Sequence, residues 1–142
     1  RLAAQLHDFG KVAIPDAILD KAGPLDPDEW RFMHRHTIIG ERIIGTSAGL
    51  APVAQMVRSS HERWDGRGYP DQLAGEEIPL GARIVAVCDA FDAMTKNRAY
   101  RQGMSEEDAV AELRRCAGGQ FDPQVVAAFE VAVRTRVRVR AA

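Results

Sequence analysis

Cysteine is scarce in this chain of 142 residues, with Cys88 and Cys116 as its two copies. Two thiols cannot build a disulfide framework, and their spacing lacks the paired pattern of a zinc knuckle, so both read as buried thiols. Long apolar runs are missing too. Ile84 to Cys88 and Val125 to Phe129 hold five residues each, far short of the ~20 needed to span a bilayer, so no membrane segment is expected. An excess of either charge is also absent: 19 Lys and Arg against 20 Asp and Glu leave a net charge of -1. That balance excludes a global pull toward a nucleic-acid polymer or a membrane surface, and any anion site must be local. The N-terminus carries no basic, then apolar, then small-residue pattern, so a secretory signal is not in the residues given and the cytoplasm is the expected location. What is present is ordinary globular usage, 46% hydrophobic and 27% charged, in a length that suits one domain. The chain begins at Arg1, already inside the apolar helical pattern of Leu2, Leu6 and Phe9, and reads as a piece of a longer protein.

The spacing of apolar residues predicts an all-α domain. Residues 2 to 9 read as the end of a helix, with Gly10 as its C-terminal stop. Asp26-Pro27-Asp28-Glu29 is a helix start: Asp26 as N-cap, Pro27 at the first helical position, Glu29 reaching back as a capping box. That helix should run to about Ile44 on a stripe of Trp30, Met33, Thr37, Gly40 and Ile44. A shorter helix follows from Pro52 to His61. Residues 62 to 78 contain Asp65-Gly66, Gly68, Pro70-Asp71 and Gly75 without either period, the mark of a long structured loop. Helical spacing returns over 79 to 95, and two more helices start at Ser105 and at Asp122-Pro123. Strand-type alternation occurs only over Arg134 to Arg140 and is read as a frayed, solvated tail. The expected division is therefore a domain over 1–133 and a basic tail over 134–142.

Chemistry-bearing residues concentrate in a few places. His7-Asp8 lies at a helix end, able to place one nitrogen and one carboxylate oxygen beside a metal centre. Alone the pair is weak, but His34, His36 and His61 add imidazoles, and Asp89 and Asp92 add carboxylates. At ~100° per residue, His36 projects about 60° from the apolar stripe and His34 about 100° away. His36 is thus the interior ligand and His34 a solvated surface histidine. The same count puts Asp92 nearer the stripe of its helix than Asp89. Taken alone, Arg98 and Arg101 are ordinary surface cations, Glu62 and Asp65 order the loop, and Trp30, Met33, Phe91 and Phe129 are core.

Several ordered motifs together carry a resemblance. His7-Asp8-Phe9-Gly10-Lys11 with Ile14-Pro15, Met33 to His36, and His61-Glu62-Arg63-Trp64-Asp65-Gly66-Arg67-Gly68-Tyr69-Pro70 resemble the HD-GYP family of bacterial signalling phosphodiesterases. Ile78 to Ile84, Asp89 to Thr95, Arg98, Tyr100-Arg101 and Gln120 to Pro123 extend the match. The resemblance implies an HD-superfamily helical bundle, here N-terminally truncated, with two or three divalent metal ions, usually iron or manganese, that hydrolyses cyclic di-GMP. Carried over by position, the metal ligands would be His7, Asp8, His36, His61 and Asp89, with Asp8 bridging. Lys11 would hold a phosphate oxygen or protonate the leaving oxygen, Arg98 and Arg101 would clamp phosphates, and Tyr69 would stack on a guanine. For Asp89 the resemblance overrides the periodicity, since a helix buried all round need not obey one stripe.

Two departures from the family pattern open a second reading. The family has two consecutive histidines before the glutamate of His61-Glu62, and here the first is Ser60. It also takes a further His, and in trimetal members a Glu, from a helix upstream of the His-Asp pair that the residues given do not include. Weak or partial metal occupancy is therefore expected. The functional expectation is a metal-dependent cyclic di-GMP phosphodiesterase, the output domain of a signalling regulator with a receiver or sensor domain upstream and a diguanylate cyclase as partner. The alternative is a degenerate HD-GYP module that binds cyclic dinucleotide or a partner protein without turnover.

Overall fold

A computed structural model describes residues 1–97 and 102–140, the last four of these by backbone alone. Helices α1 (Leu2–Leu6), α2 (Asp16–Leu19), α3 (Pro27–Ile44), α4 (Ala51–Arg58), α5 (Leu80–Thr95), α6 (Glu106–Arg115) and α7 (Pro123–Arg140) follow one another, with short 3₁₀ turns at Phe9–Ala13, Ala48–Leu50 and Gly75–Glu77. Among the described residues there is no strand, as the all-α reading expects.

The start of α3 forms as its sequence dictates. One carboxylate oxygen of Asp26 accepts from the backbone N–H groups of Asp28 and Glu29, both at 2.9 Å, and Glu29 accepts from the Asp26 N–H at 2.7 Å. A cap of this kind contributes ~1 kcal/mol. His36, Thr37, Gly40 and Ile44 form the buried face of α3, whereas Trp30 at its N-terminal end is 47% exposed. Trp30 is therefore not core, a correction that the cavity described below explains.

Two apolar clusters share the interior. Ile44, Ala54 and Val57 join α3 to α4, and Val87, Leu113, Phe121, Val125 and Val126 join α5, α6 and α7. Helix α5 is apolar on most of its circumference because it passes between the two. A polar link toward α7 is added by the Arg83–Asp122 ion pair at 2.7 Å, in which the other Asp122 oxygen caps α7 through the Gln124 N–H.

Three local readings differ from expectation. Helix α1 ends at Leu6, and Gly10 belongs to the following 3₁₀ turn. Gly10 is not a left-handed stop: a Cβ there would lie 1.9 Å from the His36 carbonyl oxygen and 2.6 Å from the Gly40 nitrogen, so glycine is needed for close approach to α3. The alternating 134–140 segment is helical, the last turns of α7, with Arg134 paired to Glu130 and Arg136 to Glu106. Cys88 and Cys116 are free thiols, half-buried rather than fully buried.

Candidate metal centre

Four segments meet at one place. The end of α1 brings His7 and Asp8, the buried face of α3 brings His36, the residues after α4 bring His61, and α5 brings Asp89. The close passage of Gly10 over α3 sets the Asp8 carboxylate 3.7 Å from His36 Nε2. His7 Nε2 lies 3.4 Å from Asp89 Oδ1 and 3.7 Å from Asp8 Oδ2. Among the described residues, Asp8, His36 and His61 have ligand atoms that all fall within 4.8 Å of one another.

The imidazoles are oriented by the backbone. His36 Nδ1 faces the Met33 carbonyl at 2.6 Å and His7 Nδ1 faces that of Ala4 at 2.9 Å. A proton on Nδ1 satisfies each contact and leaves Nε2 with its lone pair directed at the cluster, the arrangement that orients histidine ligands in metal sites. Asp8 Oδ1, His36 Nε2 and His61 Nε2 are buried and without a hydrogen-bond partner. Such atoms are costly unless something accepts their lone pairs. A divalent cation does so, and two imidazoles with a carboxylate suit borderline and hard cations such as zinc, iron or manganese. The residues present therefore fit a metal ion.

Burial holds the His61 imidazole down at about 4, with the neighbouring His36 adding to the effect. Burial also lowers His36, whereas the hydrogen bond to Asp89 raises His7 and lowers Asp89. The signs oppose one another. Unfolded histidine titrates near ~6.5, so His61 and His36 take up protons on unfolding and weaken the fold as pH falls below that value. His7 works the other way, its stabilisation being present below the unfolded value and lost as pH rises through its raised folded one. With the imidazoles of His34, His36 and His61 depressed by burial against the one of His7 raised, the metal-free protein should lose stability as pH falls from 6.5 toward 4. Urea midpoints across that interval check this; a midpoint that rises on acidification would contradict it.

The remaining expected site residues fall as follows. Lys11 Nζ donates to Asp8 Oδ2 at 2.7 Å. Tyr69 lies stacked on His34 at 3.7 Å and on His61 at 5.2 Å between ring centroids, nearly parallel to both. His34, expected as a solvated surface residue, is thus half-buried against Tyr69. The available signal was its i, i+4 spacing from Trp30, which puts both on the loop-facing side of α3. Asp89 is at the cluster, whereas Asp92 is exposed and paired with Lys96. Arg98 and Arg101 lie outside the described residues.

Ser60 is buried, and its hydroxyl donates to the Val57 carbonyl at 2.8 Å. Glu62 accepts from the Asp71 N–H at 2.7 Å, and Asp65 accepts from the Arg67 N–H and from Arg63. Both acids order the loop, as expected. Arg58 adds a clamp: it holds Asp71 through two hydrogen bonds, at 2.6 and 2.7 Å, and Glu41 of α3 through a third at 2.6 Å. These side chains are about a third exposed, so Arg58→Ala should cost only ~1 kcal/mol of stability. Its larger effect should be on the loop, read as faster amide hydrogen exchange at Tyr69 and Asp71; unchanged exchange would exclude the clamp.

Comparisons with known proteins agree with this geometry. A sequence model described as the HD domain matches residues 1–125. The chain is 46% identical over 131 residues to a cyclic di-GMP phosphodiesterase of Thermotoga maritima, covering 91% of this chain and 36% of that protein. It is 47% identical over 130 residues to the cyclic di-GMP phosphodiesterase response regulator RpfG of Xanthomonas campestris pv. campestris, covering 90% and 34%. A solved structure of a cyclic GMP-AMP specific phosphodiesterase of V. cholerae superposes with a TM-score of 0.72 at 23% identity, over 94% of this chain and 37% of that one. The last likeness concerns the fold. The chain spans about a third of the length of the curated relatives it matches.

Proposed function

Because this chain belongs to the HD-domain family, in its HD-GYP branch, we propose that it is a metal-dependent phosphodiesterase domain that hydrolyses cyclic di-GMP. The observation that carries the proposal is the convergence of three orphaned ligand atoms, on Asp8, His36 and His61, within 4.8 Å of one another. We assign these three, with His7 and Asp89 beside them, to hold the metal. Two or three iron or manganese ions are the finer reading.

Divalent cations bound there supply Lewis-acid activation of the phosphate ester and of water. The chain's own residues do the rest. Asp8 presents its two oxygens to different neighbours, Oδ1 to the cluster, where it would hold a metal, and Oδ2 to Lys11 and His7. Lys11, anchored on Asp8, keeps its ammonium beside the reacting phosphate as a donor to a phosphate oxygen or to the leaving oxygen. Arg98 and Arg101 are proposed as phosphate partners. The Tyr69 loop walls the centre from one side.

The same reading makes the chain the cytoplasmic output domain of a longer regulator. Residues 1–133 form the catalytic unit and basic residues follow at the end of α7, with a receiver or sensor domain upstream and a diguanylate cyclase as signalling partner. No helix among the described residues is long and apolar enough to cross a membrane. Binding without turnover is the second reading, and the observation on its side is Ser60, whose hydroxyl is committed to Val57 instead of the cluster. Chromatography of cyclic di-GMP incubated with iron- or manganese-loaded protein separates the two: a linear dinucleotide or GMP supports the enzyme. Tight binding with no product would support the binding module.

A further inference from the structure

Beside the metal cluster is a cavity of about 420 Å³, lined by His61 and Asp89 of the cluster and by Trp30, Tyr69, Arg67 and Gln120. We propose that this cavity is a guanine-selective subsite, in which Trp30 is the stacking platform and Arg67 reads the edge of the base. The inference rests on the cyclic dinucleotide reading of the centre and adds which residues recognise the base.

A purine entering the cavity needs a flat surface and a partner for its edge. Tyr69 is already stacked against His34 at 3.7 Å between ring centroids, with His61 parallel to it at 5.2 Å. Trp30 is the more open ring: it is 47% exposed on a helix that otherwise buries its stripe, and it borders the cavity. Its ring meets His34 at 5.5 Å and a 50° tilt, so the imidazole supports the indole from the side without stacking on it. Exposed indole faces are strong platforms for nucleobases.

Arg67 supplies the discrimination. Its neighbour Arg63 is tied to Asp65 by bonds of 3.0 and 2.7 Å, whereas the exposed Arg67 guanidinium, near the same carboxylate, forms no ion pair among the described residues. Gln120, exposed at the cavity wall, accepts from the Trp64 N–H through its backbone carbonyl. A guanidinium only donates. Guanine offers two adjacent acceptors on one edge, O6 and N7, whereas adenine places the N6 amino donor where O6 would be. A planar fork of donors is thus matched by guanine and opposed by adenine, and a lysine in its place keeps the charge without the fork.

The test is calorimetric titration of the protein with cyclic di-GMP and, separately, cyclic di-AMP, in chelator to prevent turnover. The native protein should prefer the guanine ligand. Arg67→Lys should lower affinity for cyclic di-GMP by about tenfold to a hundredfold while changing cyclic di-AMP little, so that the preference collapses. Trp30→Ala should weaken both ligands by a similar factor, and Trp30→Phe should recover most of that loss. Arg35→Ala, exposed on the same helix and outside the cavity, is the control. If Arg67→Lys keeps the full preference, or if Trp30→Ala leaves both affinities unchanged, the subsite assignment is overturned and the phosphodiesterase reading stands. If the native protein binds neither ligand in chelator, the subsite assignment is overturned, and the phosphodiesterase reading is decided separately by whether the manganese-loaded protein turns cyclic di-GMP over.

Discussion

Asp8→Asn is expected to lower hydrolysis of cyclic di-GMP by ~10³-fold or more, the scale at which a site loses its main electrostatic stabilisation. The replacement has nearly the same shape, so the fold should hold. What changes is charge and polarity. An amide at this position either turns its N–H toward His36 Nε2, now 3.7 Å from Asp8 Oδ1, and keeps its oxygen for the Lys11 ammonium, now 2.7 Å from Oδ2, or turns its oxygen to the cluster and sets donor against donor at Lys11. Neither arrangement leaves the anionic oxygen pair that a cation requires. The native protein at a hundred times its dissociation constant for manganese should gain ~2.7 kcal/mol of stability, a rise of roughly 10 °C in Tm for a domain of this size. The variant should gain almost nothing. Elemental analysis, melting curves with and without manganese, and product chromatography would each show it. Activity within tenfold of the native protein would remove Asp8 from the metal centre.

The second large effect is expected at a residue that has no side chain. Gly10→Ala places a methyl carbon 1.9 Å from the His36 carbonyl oxygen and 2.6 Å from the Gly40 nitrogen. Both are backbone atoms within α3, so no flexible side chain can yield, and the 3₁₀ turn has to back away from the helix. The cost should be ~3 kcal/mol, a large part of the ~5–15 kcal/mol that holds a domain folded. Displacing that turn also draws Asp8 from His36, so manganese affinity should fall along with the urea midpoint. Gly23→Ala, where an added Cβ meets nothing within 4 Å, is the comparison. Equal stability of the two variants would show that the turn does not pack as described.

How much of this could be read in advance depends on whether a local rule decides the position. The start of α3 was legible because a capping box is a four-residue device that needs no partner elsewhere. The starts of α6 and α7 at Ser105 and Asp122 were legible on the same ground, and both act as caps. His36 was legible as an interior residue from periodicity alone. Asp89 was not: counting positions favoured Asp92, because α5 lies between two apolar clusters and has no single wet face. His34 and Trp30 were misassigned for the converse reason. Their surroundings come from the 62–78 loop, and no helical period encodes where a loop folds back. Gly10 was marked as special, but for conformational freedom instead of for lack of volume. The 134–140 alternation followed a period of two and is nevertheless helical, its arginines reaching Glu130 and Glu106.

The meeting of His7 with Asp89 at 3.4 Å joins segments from distant parts of the chain, and this bears on when the centre comes into being. Closing so long a loop is entropically expensive and is repaid only after both apolar clusters have formed. The ligand set therefore assembles late in folding, and any opening that detaches α1 from α5 disperses it while α5, α6 and α7 keep their own packing. Metal capture and local opening at that seam then compete directly. A bound cation should slow amide exchange in α1 and around Asp89 in α5 far more than in α6, which makes the centre a clasp on a long-range contact of the fold as well as its proposed reactive site.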